Sequence, residues 1–268
     1  MPSQWPDISP RRLTAVRELS TKKGRRRQGA ILLEGVRLVG EALTVRLDVE
    51  CVLIADDAQG HRAAAQLPLQ SPHVKDSVFI VSRTVFDKLA DTIHAAGIAT
   101  VVRWSPPSWP PQGDVASIRS VLVCDRISDP GNLGTLIRTA AGLGVDCVIL
   151  HPDCAELTNP KTLRATAGAV FRIPVYIDVP ARVVSDWLKS RQLDVLVADA
   201  HAGASSYDVG RAGGWALVIG GETQPLDPVW RAPDVRRLRI PLARGVESLN
   251  AGVAGALLLD RLRRHVET

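Results

Sequence analysis

Val121-Leu122-Val123-Cys124-Asp125-Arg126-Ile127-Ser128-Asp129-Pro130-Gly131-Asn132-Leu133-Gly134-Thr135-Leu136-Ile137-Arg138-Thr139-Ala140-Ala141-Gly142-Leu143-Gly144-Val145-Asp146-Cys147-Val148-Ile149-Leu150 reads as strand, loop, helix and strand. Val121 to Cys124 and Asp146 to Leu150 are short apolar runs with almost no polar interruption. The segment between them, Leu133 to Leu143, has helical spacing. Strands that are apolar on both faces and joined through a helix belong to a parallel sheet covered on both sides. Pro130-Gly131-Asn132 makes the tight turn, and Asn132 is the expected helix cap. Arg138 is a cation inside an otherwise small and apolar helix, so it requires a partner or a surface position.

Outward from this stretch the alternation continues. Asp194 to Ala198 and Trp215 to Ile219 read as further strands, and Leu249 to His265 as a long closing helix. On the N-terminal side, Trp104 to Asp114 holds Pro106, Pro107, Pro110 and Pro111, which stiffen the chain and mark a linker. A chain of 268 residues accommodates two domains. The expected division is residues 9–103, a linker at 104–117, and a second domain at 118–268. The first opens with a basic segment, Lys22, Lys23, Arg25, Arg26 and Arg27. A helical pattern over Leu33 to Leu43, strands at Val49 to Ala55 and Val78 to Val81, and a short helix from Thr84 to Ala90 make it a small α/β unit.

Composition narrows the function classes. An apolar fraction of 46% and a charged fraction of 23% describe a soluble globular protein, not a fibre or a disordered chain. The formal charge of +5 tilts the partners toward polyanions. Cys51, Cys124, Cys147 and Cys154 form no Cys-x-x-Cys pair and no zinc set, so reduced thiols and a cytoplasmic protein are expected. The run Val253 to Leu259 is too short to span a bilayer, and no membrane partner is expected.

Ligands on parallel α/β sheets bind beyond the carboxyl ends of the strands. Besides the Asn132 loop, two others meet that rule. In Ile219-Gly220-Gly221-Glu222-Thr223-Gln224-Pro225, paired glycines permit close approach to the backbone and Glu222 supplies an acceptor, although Gly-Gly-Glu is also a common turn. In Ile240-Pro241-Leu242-Ala243-Arg244-Gly245-Val246-Glu247-Ser248-Leu249-Asn250, Ser248 and Asn250 precede the small-residue stretch Ala251-Gly252-Val253-Ala254-Gly255-Ala256. An ordinary cap on a tightly packed helix would look the same.

The three segments in order, Asn-x-Gly-x-x-x-Arg, Gly-x-Glu after a strand, and Ile-Pro followed by Ser-Leu-Asn, resemble the motifs of the SpoU/TrmH family, the ribose methyltransferases of the SPOUT class. Asn159 to Pro174 and Leu33 to Val39 resemble family segments as well, so the likeness covers nearly the whole chain. The chain departs from the family in carrying Thr223-Gln224-Pro225 where family members have glycines.

The resemblance implies a C-terminal Rossmann-like parallel sheet with a deep trefoil knot, a rarity among folds. It also implies a small N-terminal α/β RNA-binding domain resembling a ribosomal protein. S-adenosylmethionine would sit in the knot near Gly220, Gly221, Ile240 and Leu249. The family's motif arginine, here Arg138, is often given the role of base. Because a guanidinium is not readily deprotonated, Arg138 would instead fix the adjacent phosphate and stabilise the developing oxyanion, with Asn132, Glu222, Ser248 and Asn250 positioning the groups. Lys22, Lys23, Arg25, Arg26 and Arg27 would contact RNA phosphates, although a solvated basic arm would look the same. Aromatic residues make up 4% of the chain, which favours recognition of a structured RNA by shape over base stacking. The implied protein is a homodimeric 2′-O-methyltransferase of ribosomal RNA, housekeeping or of the antibiotic-resistance type, with no DNA partner. A transfer RNA methyltransferase and a catalytically silent RNA-binding or assembly factor are the competing readings.

Overall fold

A computed structural model describes residues 5–92, 94–200, 202, 213–222 and 224–264. The chain forms two compact units, Met1–Ser105 with Thr158–Phe171, and Pro106–Leu157 with Arg172–Thr268.

The first unit runs α1 (Pro10–Glu18), α2 (Lys22–Gln28), β1 (Ala30–Glu34), α3 (Val36–Thr44), β2 (Asp48–Ala55), α4 (Ala58–Ala64), β3 (Val78–Val81), α5 (Arg83–Leu89) and β4 (Ile98–Arg103). Its sheet has the order β1-β4-β2-β3. β4 is antiparallel to both its neighbours and β3 is parallel to β2. The helical pattern expected over Leu33 to Leu43 is divided. Leu33 lies in β1 opposite Thr100, and Gly35 turns the chain at φ +91°, a conformation that favours glycine, before α3 begins. The basic segment is a capped helix: Thr21 accepts from the Gly24 amide at 3.0 Å, and Gly29 closes α2 in the left-handed region.

The second unit carries the parallel sheet. Its elements are β5 (Ser120–Asp125), α6 (Pro130–Gly142), β6 (Cys147–Leu150), β7 (Val175–Tyr176), α8 (Ala181–Ser190), β8 (Asp194–Ala198), β9 (Trp215–Gly220), β10 (Arg236–Leu238) and α9 (Ala251–Arg264). The strand order is β10-β8-β9-β5-β6-β7, with β5 and β9 paired from Ser120↔Trp215 to Asp125↔Gly220. The strands expected from their apolar runs are present, and Val121, Leu122, Cys124, Cys147, Val148, Ile149, Leu217 and Val218 are fully buried. α9 ends within the expected closing helix, and His265 lies outside the described residues.

Residues 158–171 leave the second unit between β6 and β7 and join the first. Their helix, here α7 (Pro160–Thr166), packs on β1. Leu163 is 1% exposed, Arg164 pairs with Asp91 at 2.7 Å, and the Phe171 and Trp104 rings meet edge-to-face with centroids 5.4 Å apart. The proline-rich boundary and the strand–helix alternation after it place this segment in 118–268; its contacts place it with the first unit.

Candidate active site

The carboxyl ends of β8, β9 and β5 converge on one side of the parallel sheet, where such sheets bind ligands. A cavity of about 770 Å³ opens there. Gly220, Gly221 and Glu222 line it from the end of β9, Leu238 and Ile240 from β10 and beyond, and Ser248, Leu249 and Ala251 from the entry to α9.

The three loops singled out by sequence meet at one point. Glu222 Oε1 accepts from Asn132 Nδ2 at 3.2 Å, from Asn250 Nδ2 at 3.2 Å and from the Ala251 amide at 3.1 Å. Asn250 Nδ2 also donates to Asn132 Oδ1 at 2.8 Å. Asn250 Oδ1 accepts from the Gly252 and Val253 amides at 3.0 and 3.3 Å, which caps α9. A carboxylate facing the start of α9 is favoured both by its donors and by the helix dipole. The node therefore ties α6, the end of β9 and α9 together beside the cavity. Asn132 is not the α6 cap: Asp129 is, accepting from the Asn132 amide at 2.8 Å. Sitting inside the first turn frees the Asn132 carboxamide to reach Glu222.

Small residues allow α9 to approach α6. A Cβ at Gly252 would lie 3.2 Å from the Thr135 side chain, and one at Gly255 would lie 2.2 Å from Leu136 Cδ2. The paired glycines at 220 and 221 serve the same purpose. Neither has positive φ. A Cβ at Gly220 would lie 2.7 Å from Leu226, and one at Gly221 would lie 2.1 Å from the Arg126 carbonyl oxygen. Close approach by the Arg126 backbone requires glycine at 221, and the Leu226 side chain crowds 220, where the sequence suggested approach by a ligand.

Arg138 is exposed on α6, and among the described residues no side chain or carbonyl pairs with its guanidinium. A planar fork of donors without an internal partner is available to a phosphate or carboxylate. The basic segment of the first unit is less uniform than expected. Lys22, Lys23, Arg26 and Arg27 are exposed, and Arg27 pairs with Glu18. Arg25 is 6% exposed and donates to the carbonyls of Leu19 and Ser20 at 2.9 and 3.1 Å and to Thr158 at 3.3 Å. Burial removes Arg25 from any phosphate-binding set and gives it a role in holding α2. Thr223 of the Thr223-Gln224-Pro225 departure lies outside the described residues, whereas Gln224 and Pro225 line the cavity.

Sequence reasoning missed two groups of residues at this site. Asp125, Arg126 and Asp227 form a buried and half-buried cluster under the 225–227 loop, and no motif or spacing announces it. Arg231 and Arg237 line the cavity, and Arg236, Arg239 and Arg244 are exposed arginines beside them in sequence. Their density within 14 residues of sequence was the signal available. All four thiols are unpaired, with Cys51, Cys124 and Cys147 buried.

Residues 119–260, more than half the chain, match the SpoU rRNA Methylase family, and residues 11–100 match an MRM3-like substrate binding domain. The chain is 33% identical over 248 residues to the 23S rRNA (guanosine(2553)-2′-O)-methyltransferase RlmP of Bacillus subtilis, covering 92% of this chain and 94% of that protein. It is 28% identical over 319 residues to human mitochondrial rRNA methyltransferase 3, covering 96% of this chain and 73% of that protein. Among solved structures, an rRNA methyltransferase from Sinorhizobium meliloti superposes with a TM-score of 0.78 at 25% identity, covering 98% of this chain and 99% of that one. The chain belongs to the SpoU rRNA methylase family.

Proposed function

We propose that the protein transfers a methyl group from S-adenosylmethionine to a ribose 2′-hydroxyl of ribosomal RNA. The observation that carries this reading is the Asn132–Glu222–Asn250 node at the edge of a nucleoside-sized cavity, with Arg138, unpaired among the described residues, on the helix that supplies Asn132.

The cavity suits the cofactor. Its volume lies within the roughly 300–1,000 Å³ of small-molecule sites. Ile219, Leu242 and Leu258 offer an apolar wall to a purine, while Glu222, Asp199 and Ser248 offer acceptors to amine and hydroxyl groups. The backbone near Gly220, Gly221, Ile240 and Leu249 would hold the adenine and ribose. When bound, the cofactor supplies an electrophilic methyl on a sulfonium. The protein's own work is orientation, which can account for most of the rate gain in an in-line transfer. Arg138 fixes a phosphate beside the target ribose and stabilises the oxygen as its proton leaves. An arginine guanidinium stays protonated in proteins, so the proton goes to that phosphate or to a water.

Ribosomal RNA is favoured over transfer RNA because RlmP matches across both units, whereas a tRNA 2-OH methylation structure matches 55% of the chain with a TM-score of 0.51. A silent factor with this fold is disfavoured by the intact node. Shape-based docking of structured RNA falls to the first unit, with Lys22, Lys23 and Arg26 as phosphate contacts. This unit is the RNA substrate-binding domain of the reading and the second unit its catalytic domain.

The reading includes a trefoil knot in the segment after β9, supported by the path of the chain. It runs out to β10 at the far edge of the sheet and returns to α9, which packs on α6 and β9. It also includes a homodimer, supported by Val253 and Leu257, which lie four residues apart on α9 and are 49% and 41% exposed. We place the enzyme in the cytoplasm, with its ribosomal substrate. The test is transfer of labelled methyl onto unmodified 23S ribosomal RNA transcript and onto a transfer RNA pool, followed by mapping of the modified ribose. Label confined to transfer RNA, or absent from both, would remove the assignment.

A further inference from the structure

We propose that Arg126 is a positioning residue: it clamps residues 225–227 against the cavity and so sets the affinity for the nucleoside cofactor. The proposal rests on the reading of that cavity as the S-adenosylmethionine site.

Gln224, Pro225 and Leu226 form one wall of the cavity, and Trp230 and Arg231 extend it. Little regular structure supports this wall, since β9 ends at Gly220 and a short 3-10 turn begins only at Pro228. Pro225 has no amide proton, so its carbonyl is its only backbone handle. Arg126 Nη1 donates to that carbonyl at 2.8 Å. The same guanidinium reaches Asp227 Oδ2 through Nη2 at 3.4 Å, and its Nε lies 3.6 Å from Asp153.

Asp227 passes the restraint on in two directions. Its amide donates to Asp125 Oδ2 at 2.7 Å, and Asp125 is 1% exposed at the end of the central strand β5. Its Oδ1 accepts from the Val229 amide at 3.0 Å, which starts the turn carrying Trp230 and Arg231. One arginine thus anchors both halves of the wall to the sheet. The Gly221 amide donates to the Asp125 carbonyl at 3.0 Å, so the node-bearing loop shares the anchor.

The backbone at Arg126 points the same way. Its φ is +57°, in the left-handed region, where glycine sits without penalty and arginine does not. Such a conformation persists when the surroundings over-determine it, and here the side chain's contacts do so. Arg126 touches neither Asn132 nor Glu222 in any hydrogen bond of the site, so its effect falls on binding and not on the transfer step.

The left-handed backbone supplies a control that separates clamp from scaffold. Arg126→Gly removes the guanidinium while relieving the backbone, so its thermal midpoint stays at or above that of Arg126→Ala. Calorimetry with S-adenosylmethionine and with S-adenosylhomocysteine should show the Kd of Arg126→Gly raised at least tenfold. Arg126→Lys should recover part of that loss, because it keeps the charge but not the fork. The KM for the methyl donor should rise with Kd, while kcat stays within threefold. Without any ligand, hydrogen exchange at the Asp227 and Val229 amides should quicken in Arg126→Gly. Wild-type Kd in Arg126→Gly, or unchanged exchange at those amides, overturns the clamp. A wild-type protein that binds neither ligand, with exchange quickened in the variant, overturns the cofactor reading and leaves the clamp on the loop standing.

Discussion

Replacing Gly221 with alanine tests how the site is packed. The new methyl would lie 2.1 Å from the Arg126 carbonyl oxygen and 3.0 Å from its carbon. Real Cβ atoms essentially never come within 3.0 Å of a neighbour, so about 1 Å of displacement is needed, from backbone on at least one side. The Arg126 side resists, because the adjoining Ile127 carbonyl accepts from the Ala155 amide at 2.8 Å and Asp125 is buried. The movement therefore falls on Gly221 and on Glu222 next to it. Glu222 holds three donors at 3.1–3.2 Å, which leaves no slack for such a shift. A misplacement of about 1 Å costs roughly 10²-fold in rate, or about 2.7 kcal/mol of transition-state stabilisation. Overpacking should cost about 1–3 kcal/mol of stability as well. The assay is methyl transfer from labelled S-adenosylmethionine to 23S ribosomal RNA transcript, with Gly220→Ala and Gly142→Ala alongside. A Cβ at Gly220 meets only the Leu226 side chain, which can rotate, so that variant should lose tenfold or less. Gly142 has nothing within 4 Å and should be silent. Gly221→Ala activity within threefold of wild type, or equal losses at 220 and 221, would refute this account of the paired glycines.

Three further outcomes follow from the geometry. Arg138→Ala should reduce turnover by at least 10³-fold while the calorimetric Kd for S-adenosylmethionine stays within threefold; a matched loss of both would move Arg138 from the substrate side to the cofactor side. Substituting Lys22, Lys23 and Arg26 together by alanine should reduce the salt slope of RNA binding by about 2–3 and leave thermal stability unchanged. Arg25→Ala should instead destabilise by on the order of 2 kcal/mol, because it strands the buried Leu19 carbonyl. Burial pushes the Cys51 thiol up to about 11 and the Cys147 and Cys154 thiols up to about 12, and Cys124 higher than normal as well. Raised values mean neutral thiols below those pH values, so the native protein at pH 8 should react slowly with Ellman's reagent. Four rapid equivalents should appear in denaturant, and a fast native equivalent would contradict the burial.

The sheet of the second unit was legible because strands buried on both faces leave unbroken apolar runs, as at Val121–Cys124 and Cys147–Leu150. The node residues were legible because each sits at a strand end or helix start, where polar side chains stand out against Val, Leu and Gly. What was hidden depended on contacts distant in sequence. Leu33 reads as helix by spacing, and its pairing with β4 decides otherwise. Arg25 looks like its basic neighbours, and only the carbonyls of Leu19 and Ser20 distinguish it. Arg126 carries no local sign of its clamp, because Pro225 and Asp227 lie about 100 residues later in the chain.

The excursion of residues 158–171 has a practical consequence for anyone dissecting this enzyme. Because the polypeptide crosses from one unit to the other at 105/106, 157/158 and 171/172, neither can be cut out as one continuous stretch. A catalytic fragment beginning at residue 106 would carry α7 without β1, leaving Leu163, Thr166 and Val170 in water where the intact protein buries them. Deleting the N-terminal portion to ask whether it is needed for RNA binding would therefore also create a sticky hydrophobic surface. Aggregation of such a fragment would say nothing about its chemistry.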